Sequence, residues 1–152
     1  MPSLHYLCSH LQNASRAYLA QTSLPATKLN LDICLGLYTH GLLGSVRRGS
    51  YCGPDTVYTP TTFDNISTRR IWVDLKYQMM VPVLKQIKVI SKPGRRQWMS
   101  ASNLALLTRQ RVNFIPALEM GECLFIQTRK GVMEIREAIG LNLSGELLCR
   151  VS

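Results

Sequence analysis

The run Gln127-Thr128-Arg129-Lys130-Gly131 puts a hydroxyl, two cations and a glycine into one short stretch. It follows an apolar tetrad, Cys123-Leu124-Phe125-Ile126, with the length and composition of a buried strand. It leads into apolar residues whose spacing predicts a helix over 131–139. A strand-to-helix junction offers free backbone N–H groups that favour an anion. Thr128 can donate or accept, Arg129 and Lys130 add charge, and Gly131 lets another backbone approach closely. Such a junction suits an RNA backbone or a splayed base. A solvated turn with a helix cap is the plainer reading of the same residues. Nucleotide hydrolysis is not expected, because a phosphate loop places glycines before the lysine and a hydroxyl after it. Here Lys130 precedes Gly131, and Thr128 comes earlier.

A second basic turn lies at 91–98. Pro93-Gly94 is a strong turn dipeptide, surrounded by Lys92, Arg95 and Arg96, with Trp98 following. Cations held beside an aromatic can contact phosphates and stack on a base or ribose. A Trp98 packed in the core would instead leave the cations merely solvated. Arg47-Arg48 and Arg69-Arg70 flank residues 47–70, a stretch broken by Gly49, Gly53, Pro54 and Pro60 and rich in Ser and Thr. This stretch reads as a loop or an insertion in a hairpin. Its arginines are either a further contact to RNA or a neighbouring protein, or a solvated charged loop.

Chemistry is less well represented. His5, His10 and His40 fall in predicted helices without acidic residues close in sequence, and Asp32, Asp55, Asp64 and Asp74 form no paired-carboxylate pattern. Neither G-x-S-x-G nor H-E-x-x-H occurs. The five cysteines are odd in number and none makes a C-x-x-C pair, so neither a disulfide framework nor a zinc site is expected. Cys34, Cys123 and Cys149 lie in apolar patterns and read as small core residues. No catalytic role, metal, cofactor or small-molecule substrate is implied.

The elements that must position the two turns can be read coarsely. Leu4, Leu7, Leu11, Ala14 and Tyr18 form one helical stripe. Pro25 breaks the chain, Thr27 can cap a second helix striped by Leu29, Ile33 and Leu37, and Gly41 suits its end. Leu42 to Val46 reads as a short strand. Ile71, Val73, Leu75 and Tyr77 alternate with Trp72, Asp74 and Lys76, the clearest strand of the chain. Strands are predicted near 86–90 and 123–127, a helix capped by Ser102 through Arg109, and a last strand with Leu147, Cys149 and Val151 on one face. The order αβαββ followed by βαβαβ predicts two small α+β halves, 1–80 and 81–152.

At 152 residues the chain suits one ordinary domain or two small ones. Its formal charge of +9 points to a polyanion, most simply nucleic acid. The charge is uneven: residues 1–80 carry 7 cations and 4 anions, residues 81–152 carry 11 and 5. The second half is therefore the expected anion-binding face. The apolar runs are too short to span a bilayer, and the helix stripes lack a strongly basic polar face, so no membrane partner is expected. No acidic residue precedes Asp32, a composition expected of an import-compatible N-terminus that also folds.

Taken together and in order, "SKPGRR", "TRKGVM" and "SGELLCRV" resemble the S-[RK]-P-G-x-R, T-S-K-G-V-[ML] and G-G-E-[IL]-[IL]-C-x-V motifs of the small-subunit ribosomal protein eight family. The stretch "LPATKLNLDICLGLYTHGLL" resembles that family's M-P-S-S-K-L helix, and the insertion with "NISTRR" resembles fungal mitochondrial forms. The resemblance covers nearly the whole chain. It implies a structural constituent of the small ribosomal subunit in the mitochondrial matrix. Its partners would be the central domain of the small-subunit rRNA and neighbouring ribosomal proteins; a free RNA-binding translational regulator would use the same loops. Carried across, Thr128, Lys130 and Gly131 match the RNA-contacting loop, with Gln127 and Arg129 in it. Pro93, Gly94 and Arg96 match the second turn, with Ser91, Lys92, Arg95 and Trp98 around them. Gly145 and Glu146 match the motif that supports the loop. Secondary contacts are expected at Asn13, Thr27, Lys28, Arg69 and Arg70. Gln127 and Arg129 stand where the family usually has serines, Trp98 stands for a tyrosine, Ser144 for a glycine, and His10 and Gln12 for arginines. The N-terminal half is therefore expected to grip RNA less.

Overall fold

The computed structural model describes residues 3–152, and among these the chain order is α1 (Ser3–Arg16), β1 (Gln21–Pro25), α2 (Lys28–Thr39), β2 (Leu43–Gly49), β3 (Arg70–Leu75), β4 (Tyr77–Gln78), β5 (Val81–Pro82), β6 (Ile87–Val89), β7 (Trp98–Met99), α3 (Ala101–Leu107), β8 (Cys123–Thr128), β9 (Gly131–Glu134), α4 (Ile135–Gly140) and β10 (Gly145–Val151). The fold is α+β, as the sequence predicts, and its sheets are antiparallel.

In the first half, Leu4, Leu7, Leu11 and Ala14 are all buried, so the three-and-four spacing does make one packed face of α1. Tyr18 does not extend that stripe. It lies beyond the helix with φ of +56° and stacks at the surface on Tyr77, ring centroids 5.7 Å apart. Pro25 ends a strand rather than only breaking the chain. β1 is an edge strand, pairing antiparallel with β3, and Pro25 is its final residue; an edge tolerates the missing N–H. The Thr27 hydroxyl caps α2, accepting from the Asn30 N–H at 3.2 Å. Gly41 follows the helix end with φ of +74°. The alternation in β3 holds: Ile71, Val73 and Leu75 are buried.

β2 runs three residues further than predicted, to Gly49, and β3 begins at Arg70, so the irregular insertion is residues 50–69. Its base is a tight crossing. A side chain at Gly49 would sit 2.3 Å from the Gly53 carbonyl oxygen and 2.7 Å from the Pro54 Cα.

The second half is a sheet in the order β6-β10-β8-β9, with β7 pairing on β10. Cys123, Phe125, Leu148, Cys149 and Val151 face a large apolar cluster shared with Leu7, Leu11, Leu24, Ile33, Leu37 and Val73. Leu124, Ile126 and Leu147 face a second cluster with Leu104, Leu107, Ile135 and Ala138. Burial on both faces is why β8 reads as a continuous apolar run. The larger cluster draws residues from both sides of the 80/81 boundary, and β4 pairs with β5 across it. The two halves are thus successive in the chain but joined by one core.

Two predicted helices need correction. Residues 131–139 are not one helix: Gly131–Glu134 form β9, and only Ile135–Gly140 are helical. The run Val132-Met133-Glu134-Ile135, with three apolar residues, is short enough to serve either period, and pairing with β8 decides it. α3 is capped by Ser100, whose hydroxyl accepts from the Asn103 N–H, and ends at Leu107; Ser102 lies inside it.

Candidate nucleic-acid interface

The loop at 128–131 is the tip of a β-hairpin. Thr128 pairs with Gly131, which leaves Arg129 and Lys130 as the two turn residues. Neither of these has a positive φ; Gly131 takes +119° instead. A turn without left-handed central residues twists against its strands, and a glycine at its exit absorbs the mismatch. The anion-binding argument from a helix start therefore does not apply here. The nearest helix start is α4, and the buried Glu134 carboxylate already caps it, accepting from the Arg136 N–H at 2.8 Å.

Thr128 is buried, and its hydroxyl is spent within the turn. It donates to the Gly131 carbonyl at 3.0 Å and accepts from the Lys130 N–H at 3.2 Å. It therefore holds Arg129 and Lys130 in place instead of facing outward. The residues that do face outward are Gln127, Arg129 and Lys130.

The second turn forms as expected. Lys92 and Arg95 exchange backbone hydrogen bonds of 3.1 and 2.9 Å across Pro93-Gly94. Ser91 is buried and supports the turn from below, its hydroxyl accepting from the Gln97 N–H at 3.0 Å. Trp98 is not a core residue. It is 67% exposed, on a short strand that pairs with the start of β10.

β10 brings the two turns together. Glu146 is opposite Trp98 on one side and Gln127 on the other; Gly145 is opposite Met99 and Thr128. A side chain at Gly145 would lie 2.4 Å from the Gln127 carbonyl oxygen, so only glycine permits this approach. Glu146 is buried and paired with Arg96 at 2.9 Å, while the Arg96 side chain stays 63% exposed. Arg96 can thus offer its remaining N–H groups outward from a fixed position. Two hollows meet at Arg96, Gln127 and Glu146. One, of about 590 Å³, also has Trp98, Thr128, Arg129, Asn142 and Ser144. The other, of about 200 Å³, is bounded by Ser91, Lys92, Pro93, His5 and Leu29.

The charge left free on this half is large. Glu122, Glu134 and Glu146 are paired with Arg150, Arg136 and Arg96. Lys92, Arg95, Arg129 and Lys130 have no carboxylate partner among the described residues. Burial alone would raise the Glu122 carboxyl, but hydrogen bonds from Arg150 and the Glu119 backbone outweigh it and hold the group below its ordinary range.

The secondary positions divide. Asn13, Thr27 and Lys28 are exposed, with the Thr27 hydroxyl in use as a helix cap. Arg69 is not available: its side chain is 7% exposed, bonded to the Asp55 carboxylate and to the Thr59 carbonyl at 2.8 Å. Arg70 is half-buried with its guanidinium 4.5 Å above the Tyr51 ring. These arginines brace the insertion. Among the described residues no group of His, Cys, Asp and Glu could hold a metal, and no helix is long and apolar enough to cross a membrane.

Comparison with known proteins gives the family. The family model for ribosomal protein S8 matches residues 4–152. The small ribosomal subunit protein uS8m of Neurospora crassa is 45% identical, covering 95% of this chain and 94% of its own length. That of Schizosaccharomyces pombe is 42% identical, covering 97% and 98%. The small ribosomal subunit protein uS8 of Brucella ovis is 34% identical, covering 95% and 92%. The chain therefore belongs to the ribosomal protein S8 family, and it is more similar to these two fungal mitochondrial members than to the bacterial one.

Proposed function

We propose that this protein is a structural constituent of the mitochondrial small ribosomal subunit. It binds the central domain of the small-subunit rRNA early and fixes that fold for assembly. It is located in the mitochondrion, with its fungal relatives, and works without catalysis. The observation that carries the rRNA reading is the juxtaposition across β10: two basic turns border adjoining hollows that meet at a half-shielded Arg96, with an exposed Trp98 in one of them. Cations on fixed turns position phosphates, and an exposed indole stacks on a splayed base. Gly145, Glu146, Ser91 and Thr128 support this surface from beneath. Gln127, Arg129, Lys130, Lys92, Arg95, Arg96 and Trp98 make the contacts, with Pro93, Gly94 and Gly131 shaping the turns. Asn13, Thr27 and Lys28 add weaker contacts from the first half. Neighbouring ribosomal proteins meet the remaining surface.

The test is capture of the tagged full-length chain from mitochondria, followed by sedimentation. Co-migration with the small subunit and its rRNA is expected. Migration as a free protein bound to messenger RNA would overturn the structural role and make the chain a translational regulator.

A further inference from the structure

Residues 109–118 lie outside both basic turns, yet they are built like a third. Val112 and Ile115 exchange backbone hydrogen bonds of 3.1 and 3.0 Å, and Asn113 takes φ of +54° at the turn. The segment is pinned from below. Leu118 N–H bonds the Leu107 carbonyl at 3.0 Å, Arg150 donates to the Pro116 and Ala117 carbonyls at 3.1 and 2.7 Å, and Val112, Ile115 and Leu118 pack on the smaller core cluster. Phe114 alone is left out, 78% exposed at the tip. These contacts hold the backbone on either side of the ring. Apolar area kept in water on a rigid support forgoes burial, which points to use elsewhere.

The surroundings say what would use it. Arg95, from the neighbouring basic turn, places its guanidinium 5.9 Å from the Phe114 ring centroid. Arg109 and Arg111 are exposed on the same segment, and the Arg111 Nε–H donates to the Asn113 carbonyl at 3.2 Å. None of the three has a carboxylate partner among the described residues. No Asp or Glu occurs in the chain between Asp74 and Glu119. Glu119 and Glu122 border the same hollow as Phe114; the Glu122 carboxylate is taken by Arg150 and the Glu119 N–H, which leaves the Glu119 carboxylate as the one acid there without a cation partner among the described residues. An exposed ring with the Arg95 guanidinium beside it, and with Arg111 bonded to the next residue, repels a basic partner and suits a base with its phosphates.

We propose that Phe114, with Arg95, Arg109 and Arg111, is an additional RNA-binding site, at which the ring stacks on an unpaired base and the arginines hold the adjoining phosphates. This rests on the rRNA reading above and extends its surface beyond the 92–95 turn. The test is equilibrium binding of the full chain to a central-domain rRNA fragment, for wild type, Phe114→Ala, Phe114→Tyr and Arg111→Gln, with thermal melts alongside. Phe114→Ala is expected to weaken binding about tenfold, and Phe114→Tyr to keep it. Arg111→Gln is expected to lower the salt slope by about one phosphate contact. Unchanged melts are expected, since the ring is outside the core. Wild-type binding with no loss in Phe114→Ala overturns this site and leaves the rRNA reading intact. Loss only in incorporation of Phe114→Ala into small subunits overturns it in favour of a protein contact. Absence of specific binding by wild type overturns both.

Discussion

The hairpin tip at 128–131 and the insertion at 50–69 carry similar residues and use them oppositely. The tip holds Arg129-Lys130, and the insertion ends at Arg69 with Arg70 opening β3; both stretches also carry hydroxyls and glycine. At the tip, Thr128 spends its hydroxyl on the turn and Arg129 and Lys130 are left outside. In the insertion, Arg69 is drawn inward by the Asp55 carboxylate and the Thr59 carbonyl, and Arg70 lies over Tyr51. The difference teaches that local composition does not assign a cation. What assigns it is whether the fold brings an acid or a set of carbonyls within reach. Residues 75–118 contain no acid, so cations there have little to pair with. The insertion carries its own Asp55.

The sharpest way to break this comparison is at the support of the tip. Gly145→Val would drive a side chain into the Gln127 carbonyl, so unfolding by urea should show a loss of about 1–3 kcal/mol, the range for overpacking. Gly94→Ala, where nothing lies within 4 Å, should leave stability unchanged. Next comes the hydroxyl. Thr128→Val removes two turn hydrogen bonds and should cost about 1–2 kcal/mol of stability. Affinity for cognate RNA should then drop further than it does for Lys85→Ala. Equal effects of the two on RNA binding would mean general attraction rather than a positioned turn.

The insertion should behave in the reverse way. Arg69→Gln should leave RNA affinity within about twofold, because no phosphate contact is lost, yet cleavage within residues 50–69 under limited proteolysis should rise severalfold. Arg129→Gln should do the opposite. A smaller effect follows from pH. The Thr59 hydroxyl lowers the Asp55 carboxyl; partial desolvation opposes it, and Arg69 lowers it again, leaving it below the ordinary range. A depressed folded value means the contact is fully present above the unfolded value, about pH 4, and is lost as pH falls through the folded one. Proteolysis of the insertion should therefore increase only under acid conditions. The smallest effect is on thiols. Burial, with Cys8 nearby, pushes the Cys34 thiol up to about 12, and Cys8, Cys123 and Cys149 are also buried. Alkylation of the native protein at neutral pH should label Cys52 and spare the others.

Much of the scaffold was legible. The stripe of α1, the Thr27 cap, the Gly41 exit and the alternation of β3 follow from spacing and local hydrogen bonding, which a single sequence carries. Two of the misses come from strand pairing, with a distant strand for β1 and across a two-residue hairpin for β9. The order αβαββ includes a strand at the place of β1, but its residues cannot be assigned locally, because five residues ending in proline hardly read as a strand until β3 lies beside them. The four residues of β9 fit either period, and pairing with β8 decides for strand. Of the candidate site, both turns form where the sequence puts them, with Gly145 and Glu146 between them. The inward roles of Arg69 and Thr128 were not legible, because each depends on a partner that only the fold supplies. Phe114 was passed over because one phenylalanine in a basic loop carries no periodic signal.

The most direct measurement is binding of the purified chain to a central-domain rRNA fragment and to a scrambled hairpin of equal length, across a salt series. The account predicts a preference of about 100-fold, near 3 kcal/mol, that persists as salt rises. Equal binding of both RNAs, falling steeply and together with salt, would contradict it and leave only the +9 charge at work.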